Sequence, residues 1–136
     1  RVLFRSERQT SIAREDGLEA MWNDFGQNRI IVDLIYQNYD EQKLLFFSAQ
    51  GTKYDEYLHY IVTKVQKYTL DFMDELKEKA IAVNAVDEKE MHLLLSAQYC
   101  AILEMLRHDF SYEEAQHYMY TVNSFFREGW RSFLGF

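Results

Sequence analysis

The chain contains no proline and only five glycines among its 136 residues. Folds made of many short strands need tight turns, and glycine and proline form a large share of those turns. A chain so poor in both favours long helices. Its length and its hydrophobic fraction of 48% suit a single domain with one sizeable core. We therefore expect an all-α protein, an antiparallel bundle of about five helices.

Apolar residues recur at steps of three and four along most of the chain, which predicts amphipathic helices. Thr52 fits an N-cap, while Asp87 with Glu90 and Ser111 with Glu114 have the spacing of capping boxes. The predicted helices cover residues 18–39, 44–47, 52–79, 87–108 and 111–133.

The predicted helix 87–108 differs from the others because its residues from Leu93 to Leu106 are apolar on nearly all sides. A helix of this kind is expected to be buried on two sides. Ala97 and Ala101 are small enough for another helix to approach closely. This pattern indicates that the helix lies between the core and a second surface.

Composition also limits the partners of the chain. A net charge of −7 and an isoelectric point near 5.1 repel the phosphate backbone, so the chain alone is not expected to bind nucleic acid. Its single cysteine, Cys100, cannot form an internal disulfide, which suits a reducing compartment such as the cytoplasm. Charged residues interrupt every apolar stretch before it is long enough to cross a membrane.

The first residues look foreign to the rest. The chain has no initiator methionine, and residues 1–6 (RVLFRS) resemble the translation of a sequencing-adapter tail. We expect residues 1–6 to be a non-native leader and residues 7–136 to be one domain from a longer parent protein.

Two stretches of sequence, together with the order of the predicted helices, resemble the C-terminal regulatory domain of TetR/AcrR-family transcriptional regulators. Residues 47–57 (FSAQGTKYDEY) are similar to a small-Gly-Thr-Lys-Tyr turn in that family. Residues 108–115 (HDFSYEEA) and 125–130 (FFREGW) resemble the end of such domains, where a Gly-Trp pair precedes the terminal turn. The resemblance covers most of the chain, from about Glu15 to Phe136.

The resemblance implies a repressor's sensing half, without the N-terminal helix-turn-helix that would read operator DNA in the full-length parent. It also implies a homodimer in which the last two helices pair with their copies across a twofold axis. The residues expected at that interface are Leu94, Ala97, Ala101, Met105, Met119, Val122, Phe126 and Trp130.

An effector pocket is the second feature that the resemblance implies. It should lie between the first, short and long helices and take a small, mostly apolar molecule, with tyrosine hydroxyls orienting the ligand. The alternative is that these residues are ordinary core residues. The expected lining residues are Trp22, Phe25, Tyr36, Phe46, Tyr57, Ile61 and Phe72.

Two other functions remain open. Glu56 with His59, and Glu114 with His117, have the Glu-x-x-His spacing of ferritin-like metal-binding bundles, and Glu104 could supply a further carboxylate. Both motifs fall in the first turn of a predicted helix, where acids usually act as caps, so we expect no metal, no cofactor and no enzyme activity. The third possibility is a helical interaction module without a ligand.

Overall fold

The computed structural model describes residues 15–24, 36, 39–41, 43 and 52–136. All regular secondary structure within these ranges is α-helical, which confirms the predicted fold class. Four helices have defined bounds, and residues 36, 39–41 and 43 between the first two are also helical. We label the four α1 (Glu15–Asp24), α2 (Thr52–Glu78), α3 (Glu88–Arg107) and α4 (Tyr112–Leu134).

Some predictions concern other parts of the chain. The leader at 1–6 and the short helix at 44–47 lie outside the described residues. A search of the described helices for a membrane span found none with the required length and apolar character.

The predicted N-caps of α3 and α4 are confirmed, and the reciprocal capping box is recorded at α4. The Asp87 carboxylate accepts hydrogen bonds from the backbone N–H groups of Lys89, at 2.8 Å, and Glu90, at 3.1 Å. At α4 the Ser111 hydroxyl accepts from the Glu114 N–H at 3.2 Å, and the Glu114 carboxylate accepts from the Ser111 N–H at 3.1 Å. These bonds satisfy backbone donors that a helix leaves unpaired in its first turn.

Neighbouring helices run antiparallel. Tyr54, near the start of α2, lies 3.4 Å from Cys100 through its hydroxyl oxygen, whereas Gln66, further along α2, donates to the carbonyl of Glu88 at the start of α3. Residue numbers therefore rise in α2 as they fall in α3. A connection of only four residues, 108–111, turns the chain back from α3 into α4.

The core consists of the inner sides of the four helices. α1 joins it through Leu18, which packs with Leu76 of α2, and through Trp22, which packs with Met73. The side chains with almost no exposed surface are Val62, Met73, Leu76, Met91, Ile102, Met105 and Met119. They belong to three hydrophobic clusters that share partly buried neighbours, among them Leu58, Tyr99 and Phe136.

The buried faces are narrower than the apolar periodicity of the helices. In α2, Val62 is fully buried, while Tyr57 and Tyr68 are exposed. In α4, Phe125 is 77% exposed. Spacing identifies a broad apolar face, but packing against neighbouring helices decides which part of it is covered.

Candidate functional site

The inner contact between α3 and α4 is held by a buried polar network. The Trp130 indole N–H donates to Gln98 Oε1 at 2.8 Å, and Gln98 Nε2 donates to Asn123 Oδ1 at 3.4 Å. All three residues are buried. Because unpaired buried polar groups are costly, a shift of one helix along the other would break favourable bonds. The network therefore sets the register of α3 against α4.

Beside this contact, α3 carries apolar residues that are exposed or half-buried. Leu93 is 69% exposed and Leu94 is 39% exposed. Ala97 is exposed and Ala101 is half-buried, and both lie within one or two helical turns of the leucines. Single exposed leucines are ordinary, but a row of apolar residues on one side of a helix is not.

A similar exposed side exists on α4. Phe125 is 77% exposed, and its neighbours Val122 and Phe126 are half-buried. The hydrogen bond between Gln98 and Asn123 sets Phe125 at about the level of Ala97 on the antiparallel helix. We define the outer face as these exposed or half-buried apolar residues: Leu93, Leu94, Ala97, Ala101, Val122, Phe125 and Phe126.

The residues predicted at the dimer interface divide into two groups. Leu94, Ala97, Ala101, Val122 and Phe126 belong to the outer face. The other three are core residues of the single chain: Met105 and Met119 are each 2% exposed and Trp130 is 6% exposed. A partner could cover almost none of their surface, because the same subunit already covers it.

The predicted effector-pocket residues lie in different parts of the structure. Trp22 and Phe72 both contact the ring of Phe136, with ring centroids 5.7 and 5.8 Å apart respectively. Tyr36 instead packs against the core cluster near Tyr54, and its hydroxyl donates to a carbonyl in the α3–α4 turn. Of the remaining predictions, Ile61 is half-buried and Tyr57 exposed in α2, whereas Phe25 and Phe46 lie outside the described residues.

A second polar cluster surrounds the α3–α4 turn. The Asp109 carboxylate accepts a hydrogen bond from the Tyr39 hydroxyl at 2.8 Å and pairs with Lys43. The Lys43 bond, followed by the Tyr39 bond, lowers the pKa of Asp109. Burial, followed by the hydrogen bond to Asp109, raises the pKa of Tyr39 to about 12. The helical residues before α2 are thus attached to the turn by charge-assisted bonds.

Cys100 lies in a mostly apolar environment beside a tyrosine. Its sulfur is 3.4 Å from the Tyr54 hydroxyl, and Arg107 lies over the Tyr54 ring at 5.7 Å from the centroid. Burial and the contact with Cys100 raise the pKa of Tyr54, so its phenol stays protonated. A protonated phenol cannot accept the proton of the Cys100 thiol.

Two of the three carboxylates of the ferritin-like alternative have other partners in the structure. Glu114 closes the capping box of α4, and Glu104 pairs with His108 at 3.0 Å and with Arg107 at 3.4 Å. The described residues contain no group of three or more His, Cys, Asp and Glu side chains placed to hold a metal ion together.

Sequence reasoning overlooked the polar network and the most exposed leucine. A signal for the network was present, because Asn123 interrupts the apolar stripe of α4 between Met119 and Phe126. A polar residue at a core position indicates a buried hydrogen-bonding partner. No comparable signal marks Leu93, since its exposure depends on where α4 packs.

The chain matches no known protein-family model, no curated protein and no solved structure.

Proposed function

We propose that this chain is the sensing and homodimerisation domain of a transcriptional regulator similar to the TetR/AcrR family. In this proposal a second copy covers the outer face, and a small apolar effector changes the arrangement of the helices. DNA binding belongs to a separate helix-turn-helix in the parent protein. The chain itself performs no catalysis.

The observation that carries the proposal is the exposed apolar outer face on α3 and α4. Leu93 is 69% exposed and Phe125 is 77% exposed. Leaving such large apolar side chains in water forgoes the favourable free energy of burying them. Ala97, one helical turn from Leu93 and at about the level of Phe125, has a short side chain, which would let the same helix of a second copy approach closely. A twofold axis over this face would pair each apolar residue with an equivalent surface.

A link between α1 and α4 supports the regulatory part of the proposal. Arg131 Nη2 donates to Glu19 Oε1 at 2.7 Å, and the Arg131 guanidinium lies over the Trp22 ring at 5.8 Å from its centroid. A movement of α1 would therefore act directly on α4. An effector that favours one position of α1 could bias the pairing of two subunits, since ligand binding shifts a conformational equilibrium by its difference in affinity.

The proposed effector site lies where α1 meets the C-terminal residues. Trp22, Phe72 and Phe136 share aromatic contacts there, and an apolar ligand can interact with such a cluster. These are two of the predicted pocket residues together with one that the sequence analysis did not select.

Sedimentation velocity over a micromolar concentration series tests the proposal. We expect the wild-type protein to sediment as a dimer and the double variant Leu93→Glu with Phe125→Glu to sediment as a monomer. Carboxylates at both positions would be desolvated and opposed by their copies in the dimer. Tyr60→Glu is the matched control, because Tyr60 is an exposed aromatic residue, 58% accessible, on α2.

The control should remain a dimer, and all three proteins should keep the same helical circular dichroism. A wild-type monomer at every concentration would overturn the proposal, as would a double variant that dimerises normally. A dimer that carries no small molecule after purification, and shows no thermal shift with apolar ligands, would instead favour the interaction module.

A further inference from the structure

Two histidines from different helices lie side by side on the surface of the bundle. The ring centroids of His59 in α2 and His92 in α3 are 5.6 Å apart, with the ring planes inclined at 58°. His59 is exposed and His92 is half-buried, so water reaches the pair. Sequence spacing pairs His59 only with Glu56 on its own helix.

The separation of the rings fits two imidazoles that bind one metal ion. A divalent metal lies about 2.0 to 2.1 Å from a histidine nitrogen, which sets each ring centroid about 3.2 Å from the metal. At a tetrahedral angle the two centroids would then be about 5 Å apart. The observed 5.6 Å requires only a small adjustment of two side chains.

The surroundings of His59 suit a metal ligand. Its Nε2 lies 3.5 Å from the Thr63 hydroxyl oxygen one helical turn further along α2. When Nε2 carries the proton, it can donate a hydrogen bond to the Thr63 oxygen, and the lone pair on Nδ1 remains for a metal. Metal-binding histidines commonly use their second nitrogen in this way, which holds the ring in one orientation.

We propose that His59 and His92 form a two-histidine site for a late first-row divalent cation such as Ni²⁺, Cu²⁺ or Zn²⁺. Imidazole nitrogen is a preferred ligand for these ions, whereas Mg²⁺ and Ca²⁺ prefer oxygen. The described residues provide no third carboxylate, thiol or imidazole at this position, so water completes the coordination. The site is independent of the outer face and of the proposed effector site.

Metal binding would join α2 to α3. The two histidines are 33 positions apart in sequence (92 minus 59) and meet only when the antiparallel helix pair has formed. A ligand that binds the folded chain and not the unfolded chain raises its stability by mass action. The bound ion would thus clamp the long helix against the helix that carries the outer face.

Thermal unfolding and isothermal titration of tag-free protein with NiCl₂ and with ZnCl₂ test the site. We expect saturating metal to raise the Tm of the wild-type protein by a few degrees, and MgCl₂ to leave it unchanged. His59→Gln and His92→Gln should each weaken the apparent Kd by about tenfold or more, because each removes one of two protein ligands.

The chain contains a matched control, since its other two histidines are His108 and His117. The double variant His108→Gln with His117→Gln should bind metal as tightly as the wild-type protein. Failure of the wild-type protein to bind Ni²⁺ or Zn²⁺ would overturn the proposal. So would unchanged binding by the His59 and His92 variants, or an equal loss in the control.

Discussion

The two ends of the bundle are closed by different kinds of interaction. At one end, which we call the chain end, the loop 79–87 meets the C-terminal residues of α4 and the aromatic residues around Phe136. At the other, which we call the turn end, the α3–α4 connection 108–111 meets Tyr36, Tyr39 and Lys43. Apolar side chains are buried at both ends, but the chain end is closed by backbone and amide hydrogen bonds, whereas the turn end is closed by an exposed charged pair and tyrosine hydroxyls.

Close approach of two backbone segments defines the chain end. The Asn84 N–H donates to the Leu134 carbonyl at 2.8 Å, and its side-chain amide donates to the carbonyls of Ser132 and Phe133 at 3.1 and 3.2 Å. These bonds pair carbonyls that the end of α4 leaves without helical partners. Gly135, with φ of 88°, then directs the chain past Asn84.

At the turn end, polar side chains bind to the α3–α4 connection. Asp109 has φ of 55°, in the left-handed region that aspartate tolerates better than most residues. Its exposed carboxylate accepts a hydrogen bond from the Tyr39 hydroxyl and forms an ion pair with the Lys43 ammonium group. Exposed pairs of this kind contribute little to stability but respond to pH and salt. We therefore expect the chain end to govern stability and the turn end to respond to solution conditions.

The largest effect should come from Leu76→Ala at the chain end. Leu76 is fully buried and packs with Leu18, so its truncation leaves a cavity and should lower the free energy of unfolding by about 2 to 5 kcal/mol. Lys77→Ala, one residue further along α2 but exposed, should change it by less than about 0.5 kcal/mol. Urea unfolding followed by circular dichroism measures both. Similar values for the two variants would show that the chain end is not closely packed.

A smaller loss is expected from Gly135→Ala. An alanine Cβ would lie 2.6 Å from the Asn84 side-chain carbon, and the left-handed backbone adds strain, for a loss of about 2 kcal/mol. Gly129→Ala is the matched control, since Gly129 is helical and a Cβ there meets no atom within 4 Å. That variant should gain about 0.5 to 1 kcal/mol in thermal or urea unfolding. Equal effects of the two substitutions would contradict the assigned close approach.

The pKa of Tyr39 reports its hydrogen bond to Asp109 at the turn end. Asp109→Asn should lower the pKa of Tyr39 from about 12, because the hydrogen bond and the charge of Asp109 are removed, while burial, the largest cause of the shift, remains. Ultraviolet absorbance of tyrosinate, compared with a Tyr39→Phe protein, reports this pKa. An unchanged value would mean that Asp109 does not accept the bond.

The direction of the pH dependence follows from the same shifts. Tyr39 has a raised pKa in the folded chain, so its contribution to stability is present below about pH 10 and is lost as the pH rises toward about 12. Asp109 has a lowered pKa, so its contribution is present above about pH 4 and is lost as the pH falls further. The Asn variant should flatten both dependences.

Local signals in the sequence predicted the helices well. The caps at Asp87 and Ser111 form as expected, because capping depends on residues within one turn of each other. The candidate sites were harder to predict. Trp22 and Phe72 do share a contact, but only through Phe136 at the far end of the chain, and no spacing rule connects three residues so distant in sequence.

The sequence by itself determined an all-helical chain, the starts of its last two helices and a surplus of apolar residues on α3. Periodicity and capping are properties of neighbouring residues, so they can be read without knowing the fold. Only the tertiary structure decided that Met105 faces the core and Leu93 faces solvent, and that His59 meets His92. Those outcomes depend on how helices pack against one another, and packing joins residues that the sequence separates.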